Sequence, residues 1–441
     1  MGNFIRSLSV KGIKNICNQV DLIFCKNDVS KFEEARAFNV KAIYGPNGSG
    51  KTGIIHSFQI LQNLVFKSNY LYDDKTTTYL NELINKQCDQ IDISISFFYS
   101  NKRNLEGLYF YDTSISYINN EFEILSEKYS KRDYESSKDI IIFTSEKGIS
   151  KHSKFSDYSM DQFKNLLNKR SFSNILYELL TKTKSSDIDL KDESRANDLK
   201  LVVPLLSLMG SMNIIIDKND DHFAKIKNKI IESDDIIEIQ NNWDTLSKLS
   251  QSGYNSEVLT KNELEKLKLI LKRKLKFIRL FKPEIKSIET KEDMIKSSSS
   301  EELFAVNQLI NYGDYMIDLE FESVGIKKLM ELFSAIEHVS KGGILIIDEL
   351  DSHINDVYLV KIINYISEYA SGQLIFTTHN ISPMETLKTK KLSIDFMSSS
   401  SIITTWTQLG NYSPSKLYQK GMIRGLPFNI EAEDFVEVFE Q

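Results

Sequence analysis

Residues 38–52 read FNVKAIYGPNGSGKT, and this stretch decides the fold. The run FNVKAIY predicts a β-strand, and GPNGSGKT after it satisfies the pattern GxxxxGK[ST] in full. Beyond the loop, apolar residues recur at helical spacing, namely Ile54, Ile55, Phe58, Leu61 and Val65. A strand, a glycine-rich loop and a helix in this order predict a phosphate-binding loop, whose backbone N–H groups and helix N-terminus face the anion.

The residue types of this loop have distinct expected roles. Lys51 is expected to reach the β- and γ-phosphates of a nucleotide, and Thr52 is expected to ligate Mg²⁺. A glycine-rich turn that matches the pattern by chance is the alternative, and the flanking strand and helix argue against it. The other nucleotide-binding positions are Gly45, Pro46, Asn47, Gly48, Ser49 and Gly50.

Two carboxylates follow a second apolar run, GILIIDE at residues 343–349. Four consecutive aliphatic residues predict a strand that is buried on both faces. Carboxylates at the end of such a strand are costly unless a cation or a substrate meets them. Asp348 is therefore the expected Mg²⁺ ligand, and Glu349 the expected general base that polarises the attacking water. A strand that ends in a solvated acidic loop is the alternative.

A third buried strand is predicted from QLIFTTHN at residues 373–380. Active sites of parallel sheets form at the carboxyl ends of strands, so His379 is expected beside Glu349, where it could sense or polarise the γ-phosphate. The alternative is a histidine that only caps the strand.

The segment SVGIKK at residues 323–328 precedes an apolar helix. Ser323 and Gly325 at a helix N-terminus form a second anion site that points to solvent. A plain N-cap is the alternative interpretation.

The composition is that of a globular protein that does not need disulfide bonds to stabilise its core. The 441 residues include 41% hydrophobic and 26% charged residues, and the net charge is −6, which does not indicate a dedicated nucleic-acid binder. Three cysteines, Cys17, Cys25 and Cys88, form no CxxC pair, so we expect no disulfide framework and a reducing cytoplasmic setting. The uncharged run 201–216 predicts buried core rather than a membrane span, because it is shorter than the ~20 residues that a span needs.

Three regions differ in pattern. Residues 1–150 carry the phosphate loop and β-rich runs at 91–146, which predict an antiparallel sheet at one edge of the fold. Residues 151–300 are expected to form a mainly helical insertion, or arm, interrupted by acidic loops at 187–192 and 217–221 and ending near Ser297–Ser300. Residues 301–441 are expected to return to strand–helix alternation with a parallel sheet over 303–387. A covering strand and loop is expected at 412–429.

The ordered set of GPNGSGKT, SVGIKK, ILIIDE and TTH resembles the ABC-type ATPase superfamily. The presence of Asn47 in the loop, and of His379 after two threonines, is similar to the motifs of the RecF, SMC and OLD branch of this superfamily. The chain most resembles the ATPase subunits of bacterial anti-phage defence systems, such as Septu, PARIS and OLD-like nucleases. The resemblance implies an α/β fold: a P-loop NTPase of ABC type with a mixed parallel core sheet, an antiparallel β edge and a mainly helical insertion.

The resemblance also implies how the protein works. ATP and Mg²⁺ would bind between two heads that form a homodimer or a higher homo-oligomer. Ser323 and Gly325 match the signature motif that contacts ATP held by the second subunit, and Asp351 matches the loop that crosses to that subunit. The signature departs from the fuller LSGGQ form. The glutamine that links the nucleotide to the arm has no clear counterpart, and Gln90 is a weak candidate. Ile354 and Asn355 stand where the family often has a Leu-His pair.

The expected function is a soluble ATPase that acts as the sensor or regulatory subunit of an antiviral complex. Residues 388–441 lack the motifs of TOPRIM and HNH nucleases, so a separate effector, a nuclease or toxin, is expected. The alternative is a RecF-like DNA-repair ATPase that binds duplex DNA, for which residues 262–286 offer nine Lys and Arg side chains. A solvated helix face or a protein-docking surface is the other interpretation of that segment. A third hypothesis, a scaffold that binds ATP without hydrolysing it, is disfavoured by an intact Glu349.

Overall fold

The computed structural model describes residues 2–26, 29, 32–101, 107–133, 138–182, 193–216, 257–295, 302–407 and 412–423. Strands in chain order are β1 (Gly2–Lys11), β2 (Val20–Ile23), β3 (Val40–Tyr44), β4 (Gln90–Ser100), β5 (Gly107–Ile118), β6 (Glu121–Arg132), β7 (Ile140–Glu146), β8 (Ile149–Ser153), β9 (Met212–Ile215), β10 (Glu257–Thr260), β11 (Ser287–Ile295), β12 (Leu303–Asn311), β13 (Met316–Asp318), β14 (Ile344–Ile347), β15 (Gln373–Thr377), β16 (Ile394–Met397) and β17 (Ile403–Thr405). Helices are α1 (Phe32–Ala35), α2 (Lys51–Phe66), α3 (Asp74–Leu83), α4 (Asp157–Phe163), α5 (Phe172–Lys182), α6 (Glu193–Ser211), α7 (Lys261–Ile278), α8 (Val324–Ser340), α9 (Asp356–Tyr369), α10 (Ser382–Leu387) and α11 (Pro414–Gln419).

A six-stranded sheet contains the strands that were predicted to be buried. Its order is β17-β16-β3-β15-β14-β9, and every neighbouring pair is parallel except β16 with β17. All four residues of β14 and all five of β15 are buried, because helices cover both faces of the sheet. This sheet confirms the predicted parallel core.

A separate seven-stranded antiparallel sheet has the order β2-β1-β4-β5-β6-β7-β8. It confirms the antiparallel sheet predicted over 91–146 and adds the two N-terminal strands and β8. Asn119 and Asn120 join β5 to β6 with φ values of 50° and 65°, the left-handed pair that a tight hairpin requires.

Two hydrophobic cores lie on opposite faces of the parallel sheet. Because side chains alternate along a strand, Ile344 and Ile346 of β14 enter one core and Leu345 and Ile347 enter the other. The first core also contains α2, α6 and the inner face of the antiparallel sheet. The second contains α7, α8 and α9. The phosphate-loop helix α2 is therefore enclosed between the two sheets.

Gln373 joins the two sheets directly. Its fully buried side-chain amide accepts a hydrogen bond from the Ile5 backbone N–H at 2.9 Å and donates one to the Ile5 carbonyl at 3.1 Å. The β1–β4 pairing shifts register after Ile5. The amide thus satisfies both the N–H and the carbonyl of Ile5, next to the residue at which the register shifts.

The expected extent of the parallel sheet needs correction at residues 303–311. These residues form β12, which pairs antiparallel with β10, β11 and β13 in a small separate sheet. The burial of its side chains alternates only weakly, and the strand is not part of the parallel sheet. The parallel alternation begins instead with α8 and β14.

The predicted insertion over 151–300 contains strands as well as helices. Helices α4, α5, α6 and α7 agree with the prediction. Residues 212–215, however, form β9, which extends the parallel sheet beside β14. A four-residue apolar strand directly after a buried helix has no pattern of its own, since both elements read as one apolar run.

The C-terminal region also differs from its prediction. Residues 414–419 form helix α11, with Pro414 at its first turn, where a covering strand was expected. The expected acidic loops, the boundary at 297–300 and the residues after 423 lie outside the described part of the chain. The uncharged run 201–216 is core, as predicted, and supplies Leu205, Leu208 and Met212 to the first core. Within the described ranges, no helix is both long enough and apolar enough to cross a membrane.

A buried ion pair links two central strands. Lys41 Nζ on β3 lies 2.8 Å from Asp395 Oδ2 on β16, and both side chains are at most 1% exposed. Each charge depends on the other, because removal of one partner leaves an uncompensated charge in a low-dielectric interior.

We expect the Lys41→Met substitution to lower the free energy of unfolding by about 3–5 kcal/mol. The double variant Lys41→Met/Asp395→Leu removes both charges and should recover most of that loss, since a buried pair is often replaceable by apolar residues. Chemical denaturation of the wild type, both single variants and the double variant measures this. Additive losses in the double variant would contradict the coupling.

Candidate functional site

The carboxyl ends of three adjacent strands meet at one edge of the parallel sheet. In the register of β15 with β3, Thr377 lies opposite Ile43, and in its register with β14, Phe376 lies opposite Ile347. Strand β3 therefore delivers the glycine loop, β14 the two acids and β15 the threonine–histidine segment to the same place. This is the convergence that the sequence predicted for Lys51, Glu349 and His379.

The loop at residues 45–50 has the backbone that its glycines permit. Gly48 and Gly50 have φ values of 77° and 107°, which side-chain-bearing residues rarely adopt. Lys51, the first residue of α2 and 7% exposed, curls back over the loop. Its Nζ donates hydrogen bonds to the Gly45 carbonyl at 2.7 Å and to the Pro46 carbonyl at 3.1 Å. The loop is closed on its own lysine in this conformation.

Two segments from distant parts of the chain hold the loop from outside. The Asn15 side-chain amide donates to the Gly48 carbonyl, and the Ile16 side chain lies so close to Gly50 that a Cβ there would be 2.8 Å away. On the other side, the Ser401 hydroxyl reaches the carbonyls of Ser49 at 2.8 Å and Asn15 at 3.1 Å. These contacts position the loop before any ligand binds.

Thr377 organises the acid pair. Its hydroxyl donates to Asp348 Oδ1 and accepts a hydrogen bond from the Glu349 backbone N–H at 2.8 Å. Glu349 has a φ of 50°, a left-handed conformation that turns the chain sharply after β14. The side chain of Glu349 is exposed as a result, while Asp348 is half-buried.

The charges of the site affect one another. Burial lowers the pKa of Lys51, and the carboxylates of Asp348, Glu349 and Asp351 oppose that shift. Partial burial also lowers the pKa of His379, as does the positive charge of Lys51, against the same three carboxylates. The imidazole of His379 is therefore neutral near pH 7, so it can accept or donate a hydrogen bond without adding charge.

The residues present fit a magnesium ion. Mg²⁺ prefers hard oxygen ligands, and the Thr52 hydroxyl and the Asp348 carboxylate supply them at the mouth of the loop. Three buried oxygens close in sequence to the loop and the acid pair lack a hydrogen-bond partner among the described residues. They are Tyr44 Oη, Ser49 Oγ and Asp351 Oδ1.

The signature residues Ser323 and Gly325 lie at the N-terminus of α8, close to the loop that follows Glu349. Ser323 caps α8, is exposed, and makes no side-chain capping bond. Gly325 packs against the next loop, since a Cβ there would lie 3.2 Å from the His353 carbonyl. Asp351, expected to serve a second subunit, lies close enough to Lys51 and Tyr44 to shift the pKa of each.

The structure also shows the contacts of Gln90 and of three residues whose roles the sequence did not reveal. Gln90, the weak candidate for a nucleotide contact, instead donates to both carboxylate oxygens of Asp92 at 2.9 Å. Sequence reasoning missed the roles of Thr377, Asn15 and Ser401. Thr377 could have been found from its place in FTTHN at the end of a buried strand. Asn15 and Ser401 carry no local signal, because only the fold brings them to the loop.

A family profile described as "AAA domain, putative AbiEii toxin, Type IV TA system" matches residues 40–384, which are 345 of the 441 residues. Among solved structures, the Smc head domain of Pyrococcus furiosus, with an extended coiled coil and bound to the C-terminal domain of ScpA, is similar at 14% identity, with 100% of both chains covered and a TM-score of 0.40. The recombination mediator protein RecF with ATP is similar at 12% identity, with 92% of this chain and 99% of that chain covered and a TM-score of 0.37. No curated protein matches the sequence. The α/β fold predicted from the sequence, with a phosphate loop on a parallel core sheet and an antiparallel β edge, is confirmed.

We expect Thr377→Val to lower ATP turnover roughly 10- to 100-fold, the usual cost of losing a group that orients a ligand-binding side chain. Thr377→Ser keeps the hydroxyl and should retain most activity. Steady-state phosphate release, with unfolding curves to verify the fold, measures this. Equal activity in the valine and serine variants would contradict the role given to the hydroxyl.

Proposed function

We propose that this chain, which belongs to the family described as "AAA domain, putative AbiEii toxin, Type IV TA system", binds and hydrolyses ATP as the regulatory subunit of an antiviral defence complex. The observation that carries the proposal is the convergence of Lys51, Asp348 and Glu349 at one sheet edge, where Thr377 joins the two acids and their charges act on Lys51. A phosphate-binding lysine and two acids in mutual electrostatic contact are the parts that nucleotide hydrolysis requires.

Each residue of the site has one proposed task. The loop backbone and Lys51 bind the β- and γ-phosphates, and Lys51 releases the carbonyls of Gly45 and Pro46 when it does so. Thr52 and Asp348 hold Mg²⁺, which neutralises charge on the phosphates. Glu349 orients the attacking water and accepts its proton. His379, neutral and exposed at the same edge, hydrogen-bonds the γ-phosphate or the water.

A homodimer, or a higher homo-oligomer, is the proposed working form. Ser323 stands at the N-terminus of a 17-residue helix, its side chain is exposed, and its hydroxyl makes no capping bond to that helix, so it is placed where it could reach a neighbour's nucleotide. Asp351 in the adjoining loop would accompany it across the interface. ATP binding would close the dimer and hydrolysis would open it.

A separate effector protein, a nuclease or toxin, is the proposed partner. The family description assigns the matched domain to a type IV toxin–antitoxin system, and a system of two components supports a second protein as partner. We propose the cytoplasm as the place where the two proteins act. The described residues offer a nucleotide site but no group of three or more His, Cys, Asp and Glu suited to a nuclease metal.

The RecF-like alternative, DNA repair through the basic segment 262–286, is less well supported. Several of its cations are already paired: Lys268 with Glu265 and Glu292, and Arg273 with Glu337. Helix α7 buries Leu264, Leu267, Leu271 and Ile278 and presents a solvated face. Contact with nucleic acid remains a secondary proposal for that face.

Lys51→Ala is expected to abolish ATP binding, because the loop loses the cation that folds over it. Isothermal titration with ATP and Mg²⁺ measures the affinity. Lys361→Ala, an exposed lysine on α9, is the matched control and should bind normally. Retained affinity in Lys51→Ala would refute the phosphate-loop assignment.

Glu349→Gln is expected to lower turnover by roughly 10²–10⁴, the usual contribution of a general base. It should also trap an ATP-bound dimer, which size-exclusion chromatography with light scattering detects. Glu368→Gln, an exposed position on α9, is the control for a lost surface charge. Unchanged hydrolysis in Glu349→Gln would remove this residue from the role of base.

A pull-down with the Glu349→Gln protein, ATP and Mg²⁺ from its native host tests the biological setting. Both protein and nucleic acid in the eluate are identified. A stoichiometric nuclease-like or toxin-like partner supports the regulatory-subunit proposal. Co-purified DNA without such a partner supports the repair alternative instead.

A further inference from the structure

Two cysteines that are 71 residues apart in sequence face each other near the phosphate loop. Cys17 Sγ lies 3.4 Å from Cys88 Sγ, and both residues are free and partly exposed. The Cys88 thiol also lies 3.6 Å from the Cys17 carbonyl. The third cysteine, Cys25, is fully buried. A disulfide requires a sulfur–sulfur distance of about 2.05 Å, so little movement separates the thiols from a bond.

Backbone hydrogen bonds hold the two thiol-bearing segments together. The Lys14 N–H donates to the Leu83 carbonyl at 2.6 Å, and the Asn85 N–H donates to the Gly12 carbonyl at 2.9 Å. The Asn85 side chain adds a bond to the Lys14 carbonyl at 2.6 Å. The Cys88 N–H donates to the Asn85 carbonyl at 2.9 Å. Since both backbones are fixed, the approach of the thiols is a property of the fold.

The same segment supports the phosphate loop. Asn15 and Ile16, immediately before Cys17, contact Gly48 and Gly50, and Ser401 bridges Asn15 to Ser49. A shift of Cys17 toward Cys88 would be passed to these contacts, because no residue lies between Ile16 and Cys17. The loop would lose part of the support that shapes it for phosphates.

We propose that Cys17 and Cys88 form a redox modification site, at which a hydroperoxide converts the two thiols into a disulfide that weakens nucleotide binding at the adjacent loop. The second half rests on the proposed ATP-binding function, whereas the first half does not. Transient disulfides of this kind are the form in which cytosolic proteins use such bonds.

The chemistry is balanced with hydrogen peroxide as the oxidant. The Cys17 thiolate attacks one peroxide oxygen, the O–O bond breaks, and the leaving hydroxide takes a proton to become water. Cys17 is then a sulfenic acid. The Cys88 sulfur attacks the Cys17 sulfur, the S–S bond forms, and the S–O bond breaks to release a second water. Two thiols are oxidised and one peroxide is reduced. Burial and the neighbouring Cys17 raise the pKa of Cys88, so the Cys88 thiol keeps its proton and does not compete for the first attack on peroxide.

The disulfide is tested on the full-length protein. Protein treated with hydrogen peroxide is alkylated with N-ethylmaleimide, digested and analysed by mass spectrometry. We expect a peptide that links Cys17 to Cys88 within one chain and that disappears after reduction with dithiothreitol. Cys88→Ser should lack it, and Cys25→Ala, the matched control, should retain it. Recovery of both residues as alkylated thiols, or a link only between chains, would overturn the proposal.

Nucleotide affinity tests the coupling to the loop. Titration of a fluorescent ATP analogue should show binding weakened between roughly 5- and 150-fold in the oxidised wild type, the usual range of coupling between two sites. Reduced wild type and peroxide-treated Cys88→Ser should bind alike. Equal affinity in the oxidised and reduced wild type would overturn the coupling. Failure of the reduced protein to bind ATP would instead count against the proposed function, while the cross-link remains measurable.

Discussion

The parallel register of β3, β15 and β14 is the constraint on which the site depends. Strand β15 lies between the other two, with Thr377 opposite Ile43 and Phe376 opposite Ile347. Because all three strands run in the same direction, their carboxyl ends reach solvent together. Because helices cover both faces of the sheet, polar side chains reach solvent at this edge. A one-residue slip of β15 would move Thr377 away from Asp348 and would also exchange its two core faces, so packing and chemistry specify the same register.

Thr377 shows how the core determines the geometry of the acids. Its side chain is fully buried, yet its hydroxyl binds a carboxylate and a backbone N–H of the neighbouring strand end. Glu349 adopts a left-handed backbone conformation at this sharp turn. The hydrogen bond from its N–H to the Thr377 hydroxyl helps to hold that conformation. The strain turns the Glu349 carboxylate toward solvent and leaves that of Asp348 bonded within the site. Two adjacent carboxylates thereby acquire different environments, which their different proposed tasks require.

Much of the site could be predicted, since its main residues lie in short segments with strong local patterns. The loop, the strand of β14 and the segment after β15 each combine an apolar run with a polar end, and the direction of parallel strands then brings Lys51, Glu349 and His379 together. The patterns did not reveal β9, because MNII continues the uncharged run of α6 without a turn signal between them. They placed β12 in the wrong sheet, since strand pairing is set by partners elsewhere in the chain. Asn15 and Ser401 were also missed, because ordinary polar residues acquire their function only through tertiary contacts.

Those two residues explain why the phosphate loop is sensitive to distant parts of the chain. Glycines at 48 and 50 give the loop its shape but also its freedom, because glycine restricts the backbone least. A loop of this kind needs external support to remain preorganised for phosphate. The support comes from the segment that ends at Cys17 and from the turn between β16 and β17, which the Ser401 hydroxyl joins across the loop. A change in the first segment would therefore alter the proposed nucleotide binding without contact with the nucleotide, since it would act on the shape of the loop.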